Sequence, residues 1–406
     1  MKWRETTLGS AIHVKHGFAF KSEHFADAGG PIVLTPGNFN ECGGFCVRPE
    51  KERYYTGDIP EGYVLNEGDL IVAMTEQGAG LLGSSALIPE DGRFLHNQRL
   101  GLIDQIDEKI LEKRFLYLLF NTHLVRGQIS GSASGTKVRH TSPERIYRVS
   151  VRIPDITAQR RIVDIALAYD DLIENNRRRI QLLEQSARLL YKEWFVHLRF
   201  PGHEHVKLTA GVPKGWHPLF FPDAVEINPT EKVTKGSAIR YLPMTCLSEA
   251  GMSIDLRAAE IRDKGTSVRF RNGDTLFARI TPCLENGKTG FVDFLNADEV
   301  ACGSTEFIIL RGRRVSPYFV YCLSRTHDFR ENAIKSMIGS SGRQRVQESC
   351  FIEFKLGLPP ASLLSQFDEF AGRCFEQIGN LQRQNAKLTA ARDLLLPRLM
   401  SGQLVA

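Results

Sequence analysis

The sequence repeats itself once along its length, and that duplication restricts the fold to two versions of one unit. Gly68-Asp69 in "NEGDLIVAMT" (66–75) recurs as Gly273-Asp274 in "RNGDTLFARI" (271–280), 205 positions further on. The same offset carries Ile153 of "RIPDI" onto Leu358 of "GLPPA", Leu183 onto Leu388 and Leu190 onto Leu395. The Gly/Ser-rich loops "SGSASGTKVRH" (130–140) and "IGSSGRQRVQE" (338–348) align best at 207, which implies short insertions between the anchors. The openings "WRETTLGSAIHV" (3–14) and "GWHPLFFPDAVEI" (215–227) agree in type.

Each copy divides into a globular part and a helical rod. Short apolar runs such as "PIVLTP", "DLIVAMT", "SSALIP", "DTLFARI", "TGFVDFL" and "TEFIIL" are bounded by Gly, Asp, Asn and Pro, and they have strand length. Helical spacing over 112–129 and 316–338 places one helical stretch at equivalent points of the two globular parts. The fold class is therefore α+β, with two α/β globular domains over 1–154 and 201–358.

The segments 155–200 and 359–406 read differently. In the first, Ala166, Tyr169, Ile173, Ile180, Leu183, Ala187, Leu190 and Trp194 recur in steps of three and four, interrupted by Asn176. In the second, Cys374, Ile378, Leu381, Leu388, Leu395 and Leu399 do so, interrupted by Asn385 and Arg392. Pro154 and Thr157 mark the start of one helix and Pro201-Gly202 its end; Pro359-Pro360 precede the other, which Pro397 is expected to kink or stop early. Roughly 40 residues make a rod of about 60 Å. The simplest closure is an antiparallel coiled coil through Tyr169, Ile173, Ile180, Leu183 and Leu190 on one helix and Ile378, Leu381, Leu388 and Leu395 on the other. The two domains would then be related by a pseudo-two-fold axis. The asparagines either fix the register or are solvated breaks.

Composition narrows the function. With 52 Lys+Arg against 47 Asp+Glu the net charge is only +5, so a polyanion partner must be met by a local patch. One such window runs from Arg126 to Arg152, where six cations face Glu144 alone. No apolar run has membrane-spanning length and "MKWRETTLGS" has no apolar core after its charges, so a cytoplasmic protein without a membrane partner is expected. The 8 cysteines lack paired spacing and read as reduced thiols; Cys42 and Cys46 lack the two further ligands a zinc site needs, and no metal is expected.

Catalytic signatures fail residue by residue. "NGKTG" lacks the upstream glycine of a phosphate loop, where Pro282 stands, and "GAGLLGSS" has Ser84 where lysine is required. The single Pro-Pro pair, in "LPPA", lacks the polar and aromatic flanks of a methyl-transfer tetrapeptide, and no glycine-rich cofactor loop accompanies it. "EFK" (353–355) has Arg148, Val149 and Ser150 as its repeat equivalents, which does not sustain a nuclease reading. No catalytic residue and no bound cofactor are expected in this chain.

Binding remains. Lys137, Arg139 and His140 in one Gly/Ser loop, and Arg343, Gln344 and Arg345 in the other, combine cations with free backbone N–H groups and suit phosphate contact. Asn97, Gln98 and Arg99 in "HNQR", together with Arg279, carry the amides and guanidinium groups that read base edges, and Lys21 adds a cation. Half-sites on DNA about one turn, roughly 34 Å, apart face one side of the duplex, and two readers on a fixed rod match such a target. A coiled-coil scaffold that joins proteins without nucleic acid is the competing reading, and the mild net charge favours it.

The ordered set "GFAFKSEHF" (17–25), the Gly-Asp strands, the Gly/Ser loops, "IPDITAQRRI" (153–162), "LPPASLLSQF" (358–367) and the closing "LLLPRLMSGQL" resembles the specificity subunit of type I restriction-modification enzymes over essentially the whole chain. The resemblance implies two target-recognition domains, each reading half of a bipartite double-stranded DNA sequence. It also implies two spacer helices that act as a ruler and dock two methyltransferase subunits, with motor-nuclease subunits joining the larger complex. S-adenosylmethionine would be bound by the methyltransferase partner, for adenine N6 methylation. Ala158-Gln159 and Ser365-Gln366 depart from an acidic residue often found at the start of these helices.

Overall fold

A computed structural model describes residues 3–47, 52–76, 80–135, 138–209, 211–233, 238–263, 267–340 and 342–404. Two compact units emerge, the first from 1–171 with 388–406 and the second from 172–387. Among the described residues no helix is long and apolar enough to cross a membrane.

Unit 1 is built on an antiparallel four-stranded sheet in the order Ile12–His16, Leu100–Ile106, Leu70–Ala73, Ser85–Leu87. A second sheet orders Phe25–Ala26, Tyr54–Tyr55, Ile32–Val33, Phe94–Leu95 and Val64–Leu65, with one parallel pair between Ile32–Val33 and Phe94–Leu95. Strand Arg4–Thr7 pairs with Ser150–Ile153, so the domain closes where it opens.

Unit 2 repeats this plan, with four strands in its second sheet where unit 1 has five. Its main sheet runs Val225–Ile227, Phe307–Gly312, Thr275–Ala278, Thr289–Phe291. Its second sheet pairs Ile239–Leu242 in parallel with Ala301–Gly303, and His217–Phe220 pairs with Lys355–Leu358 to close the domain. The Gly-Asp anchors explain themselves as turns into the central strand of each main sheet. Gly68 and Gly273 sit at φ of 79° and 88°, where a side chain is strained, and Asp69 and Asp274 accept the N–H of Asn66 and Arg271 at 2.9 and 2.8 Å.

Each single helical stretch expected over 112–129 and 316–338 is two helices, Lys113–Phe120 with His123–Gly131 and Pro317–Ser324 with His327–Lys335. The break falls at the Thr-His pairs. Thr122 holds the extended conformation of an N-cap, and its hydroxyl accepts the Val125 N–H.

The long helices are Ile156–Tyr191, continued by a π-helical turn Lys192–Val196, and Ala361–Ser401. In unit 2, Asn176 donates to Asn385 at 2.9 Å while Tyr191 meets Phe367 at a ring separation of 5.9 Å, so the helices run antiparallel there. Asn385 also donates to the Ile173 carbonyl at 3.3 Å, and Asn176 is buried; the asparagines are register-fixing partners rather than solvated breaks. Ile173, Ile180, Ile378 and Leu381 are buried, and Leu183 and Leu190 pack partly buried against the unit 2 core. In unit 1, Tyr169, Leu388 and Leu395 are half-buried, and Arg392 pairs with Asp170 at 2.7 Å.

Pro397 does not stop the helix early: the helix continues to Ser401. A proline there removes one backbone donor near the end of the helix. Leu399 and Met400, 5% and 7% exposed, bury the last turn with Ile162 and Val163 in the core of unit 1.

Candidate nucleic-acid interface

In each unit a turn and a loop flank the end of one central strand, held by the same backbone bonds. In unit 1 the Met74 N–H donates to the Arg99 carbonyl, the Thr141 N–H to the Met74 carbonyl, and the Glu76 N–H to the Arg139 carbonyl, each at 2.9 Å. In unit 2, Arg279 donates to Glu306 at 3.0 Å, Val346 to Arg279 at 2.8 Å and Thr281 to Gln344 at 3.1 Å. Arg99 therefore corresponds to Glu306, His140 to Arg345 and Arg139 to Gln344. The loop register at these bonds is 205, not the 207 at which the loop sequences align best. The loops close through paired bonds between Ser134 and His140 and between Ile338 and Arg345, the second loop being one residue longer.

The turn in unit 1 is anchored from below. His96 is buried and its Nε2 lies 3.0 Å from the Leu100 carbonyl, while burial lowers its pKa to about 4, so the ring is neutral at physiological pH. Asn97 is 7% exposed and its carboxamide oxygen accepts the Arg99 N–H at 3.1 Å, so it shapes the turn while lining the same concavity as Gln98 and Arg99. Ser304 does the same for Glu306, at 3.2 Å. Gly17 of "GFAFKSEHF" lets the incoming chain pair with this turn, since a Cβ there would stand 1.9 Å from the Asn97 carbonyl oxygen.

Gln98 and Arg99 are exposed and line a concavity of about 220 Å³ with Phe20, Phe25, Thr35 and Arg53. Lys21, three-quarters exposed, lies 3.8 Å from Glu23. The other predicted residues separate by role. Arg139 turns inward, donating to the Ser130 hydroxyl at 2.7 Å, and His140 lies 3.2 Å from the Thr75 hydroxyl. Arg279 is expected to read bases but is spent on the loop, with Glu348 and the Val346 carbonyl both at 3.0 Å. Arg343 is exposed and Gln344 half-buried. Arg345 is gripped by Glu306 through Nε at 2.9 and 3.0 Å and Nη2 at 2.7 Å. Lys137 lies outside the described residues.

Sequence reading missed Glu306, Arg53 and Gln159. Gln159 is fully buried and ties the start of the first long helix to unit 1, accepting the Glu112 N–H and donating to the Ile110 and Pro154 carbonyls, all at 2.9 Å. No sequence signal marks Glu306, because "HNQR" and "STE" look unrelated until the strands are superposed by their bonds.

Residues 1–185 match the family model for the type I restriction modification DNA specificity domain. The type I restriction enzyme MjaIX specificity subunit of Methanocaldococcus jannaschii is 23% identical over 306 residues, 71% of this chain and 68% of that protein. The MjaVIII specificity subunit of the same organism is 18% identical over 357 residues, 84% and 80% of the two chains. The EcoEI specificity subunit of Escherichia coli is 25% identical over 200 residues, 47% of this chain and 33% of that protein. The fold is shared with the crystal structure of a type I restriction-modification system S subunit from M. genitalium, at a TM-score of 0.58 and 15% identity over 98% of this chain and 96% of that one. With a duplicated α+β unit, paired long helices and these relatives, the chain is similar to the specificity subunits of type I restriction-modification systems, and its first 185 residues match the family model of their DNA specificity domain.

Proposed function

We propose that the chain is the noncatalytic DNA-reading subunit of a type I restriction-modification complex. The globular domain of each unit reads one half of a bipartite target, and the paired helices set the spacing. Two methyltransferase subunits dock on the helices and supply S-adenosylmethionine, and motor-nuclease subunits complete the assembly in the cytoplasm. The observation that carries this reading is the turn-and-loop pair. Its backbone bonds are the same in both units, while its outward side chains, Gln98 and Arg99 against Thr305 and Glu306, differ. A frame kept constant under changed polar groups suits two readers of unlike sequences.

Docking is supported by Leu182, Leu189 and Val196, which repeat every seven residues on the first long helix and remain 62%, 61% and 40% exposed. The test is a map of N6-methyladenine in the host genome, with and without the gene. Loss of a split motif on deletion is the expected result; an unchanged pattern refutes the reading. A pure protein scaffold is excluded if the assembled complex retains sequence-preferring DNA binding at about 200 mM salt.

A further inference from the structure

Each unit presents an exposed guanidinium at the same place on the frame, but from opposite sides of it. In unit 1 the turn supplies Arg99, exposed and without an ion pair among the described residues, while the loop position beside it is His140, occupied with Thr75. In unit 2 the turn position is Glu306, and the loop supplies Arg345. Glu306 takes the Nε and Nη2 edge of that guanidinium and leaves the Nη1 end directed elsewhere, on a side chain still 46% exposed.

A carboxylate within 3 Å makes this a poor phosphate clamp, because it repels the anion. The same carboxylate fixes the plane of the arginine fork without opposing a neutral base edge. An arginine fork pairs with O6 and N7 of guanine in the major groove. Arg99 has a comparable setting, on a turn fixed by the buried Asn97 and in one concavity with the apolar rings of Phe20 and Phe25 and with Arg53.

We infer that Arg99 and Arg345 are the specificity-determining residues of the two half-sites, each reading one guanine, with Glu306 as the positioning residue for Arg345. This rests on the proposed DNA-reading function. It moves Arg345 from backbone contact to base contact and replaces Arg279 as the reader in unit 2.

The test compares the methylated motif, and then binding of the purified complex to duplexes changed one base pair at a time, for the wild type, Arg99→Ala, Arg345→Ala and Glu306→Gln. Arg99→Ala should relax one G·C position in one half and leave the other half intact; Arg345→Ala should relax one in the other half. The expected loss of discrimination is about fivefold to a hundredfold. Glu306→Gln should weaken discrimination at the Arg345 position only. A wild-type motif without a G·C pair in either half overturns the inference, as do unchanged discrimination or relaxation of the same half by both arginine variants. If a variant methylates nothing, the duplex series decides: uniformly weaker binding with a shallower salt slope identifies a phosphate contact and overturns it. A wild-type complex without any sequence preference would instead defeat the underlying function.

Discussion

Glu184 is 4% exposed on the first long helix, and it joins that helix to the globular part of unit 2. It accepts the Tyr321 hydroxyl at 2.6 Å and the Met252 N–H at 2.9 Å, with Arg188 one turn on at 3.6 Å. Gly251 makes room for it, since a Cβ there would lie 2.8 Å from the carboxylate. Tyr321→Phe removes one hydrogen bond to a charged group and should cost about 2 kcal/mol. Glu184→Ala should cost more, about 3–5 kcal/mol, because the buried hydroxyl and the Met252 N–H both lose their acceptor and Arg188 its carboxylate. Their energies should not add, because both act on one contact. Two-state unfolding is not expected of a chain with two units, so the measurement is amide exchange at Met252, which reports local opening. Protection there should fall by more than tenfold in Glu184→Ala. A cost below about 0.5 kcal/mol with unchanged Met252 protection would show that the helix is held by apolar packing alone.

Other perturbations separate other parts of the structure. Asn176→Leu alone should destabilise unit 2 by about 1–3 kcal/mol, by removing the partner of Asn385. The double change Asn176→Leu with Asn385→Leu should recover that loss in a melting experiment. His96 should titrate near pH 4 by NMR. Because its folded pKa lies below the unfolded value near 6.5, its stabilising effect is complete above about pH 6.5 and is lost as pH falls toward 4, by about 3 kcal/mol in all. Nδ1, buried without a partner, is the atom whose protonation is penalised, so His96→Phe should flatten acid melting over that range. Arg343→Ala should weaken binding of the assembled complex alike across sequences and reduce its salt slope by about one; an unchanged slope would remove Arg343 from the DNA contact.

The duplication, the strands and the long helices were legible because they are written in local apolar periodicity and recur at one offset. The break at Thr122 was not, because a threonine inside an apolar helical pattern looks like a tolerated polar position until its hydroxyl is seen to cap Val125. The early stop expected at Pro397 does not occur because the proline's penalty is local, whereas the burial of Leu399 and Met400 that opposes it is tertiary. At the candidate interface, the internal bonds of the named residues were not legible. Asn97, Arg139 and Arg279 have the right chemistry but also bond within the turn and loop themselves. The grip of Glu306 on Arg345 spans 39 positions, and no spacing rule predicts it.

Unit 1 takes its core from two distant stretches of chain: Ile162 and Val163 share one cluster with Leu399 and Met400. On the ribosome, where domains generally fold as they emerge, this unit is the first to be synthesised and the last to be finished. Its sheets can form early, but the part of the apolar face of residues 156–171 that Leu399 and Met400 complete stays open while more than two hundred further residues are added. Unit 2, continuous from 172 to 387, can complete itself in the interval. Nascent chains truncated before residue 388 should thus carry a folded second unit beside a first that is still open, and a chaperone that recognises apolar helices would find its site on the first.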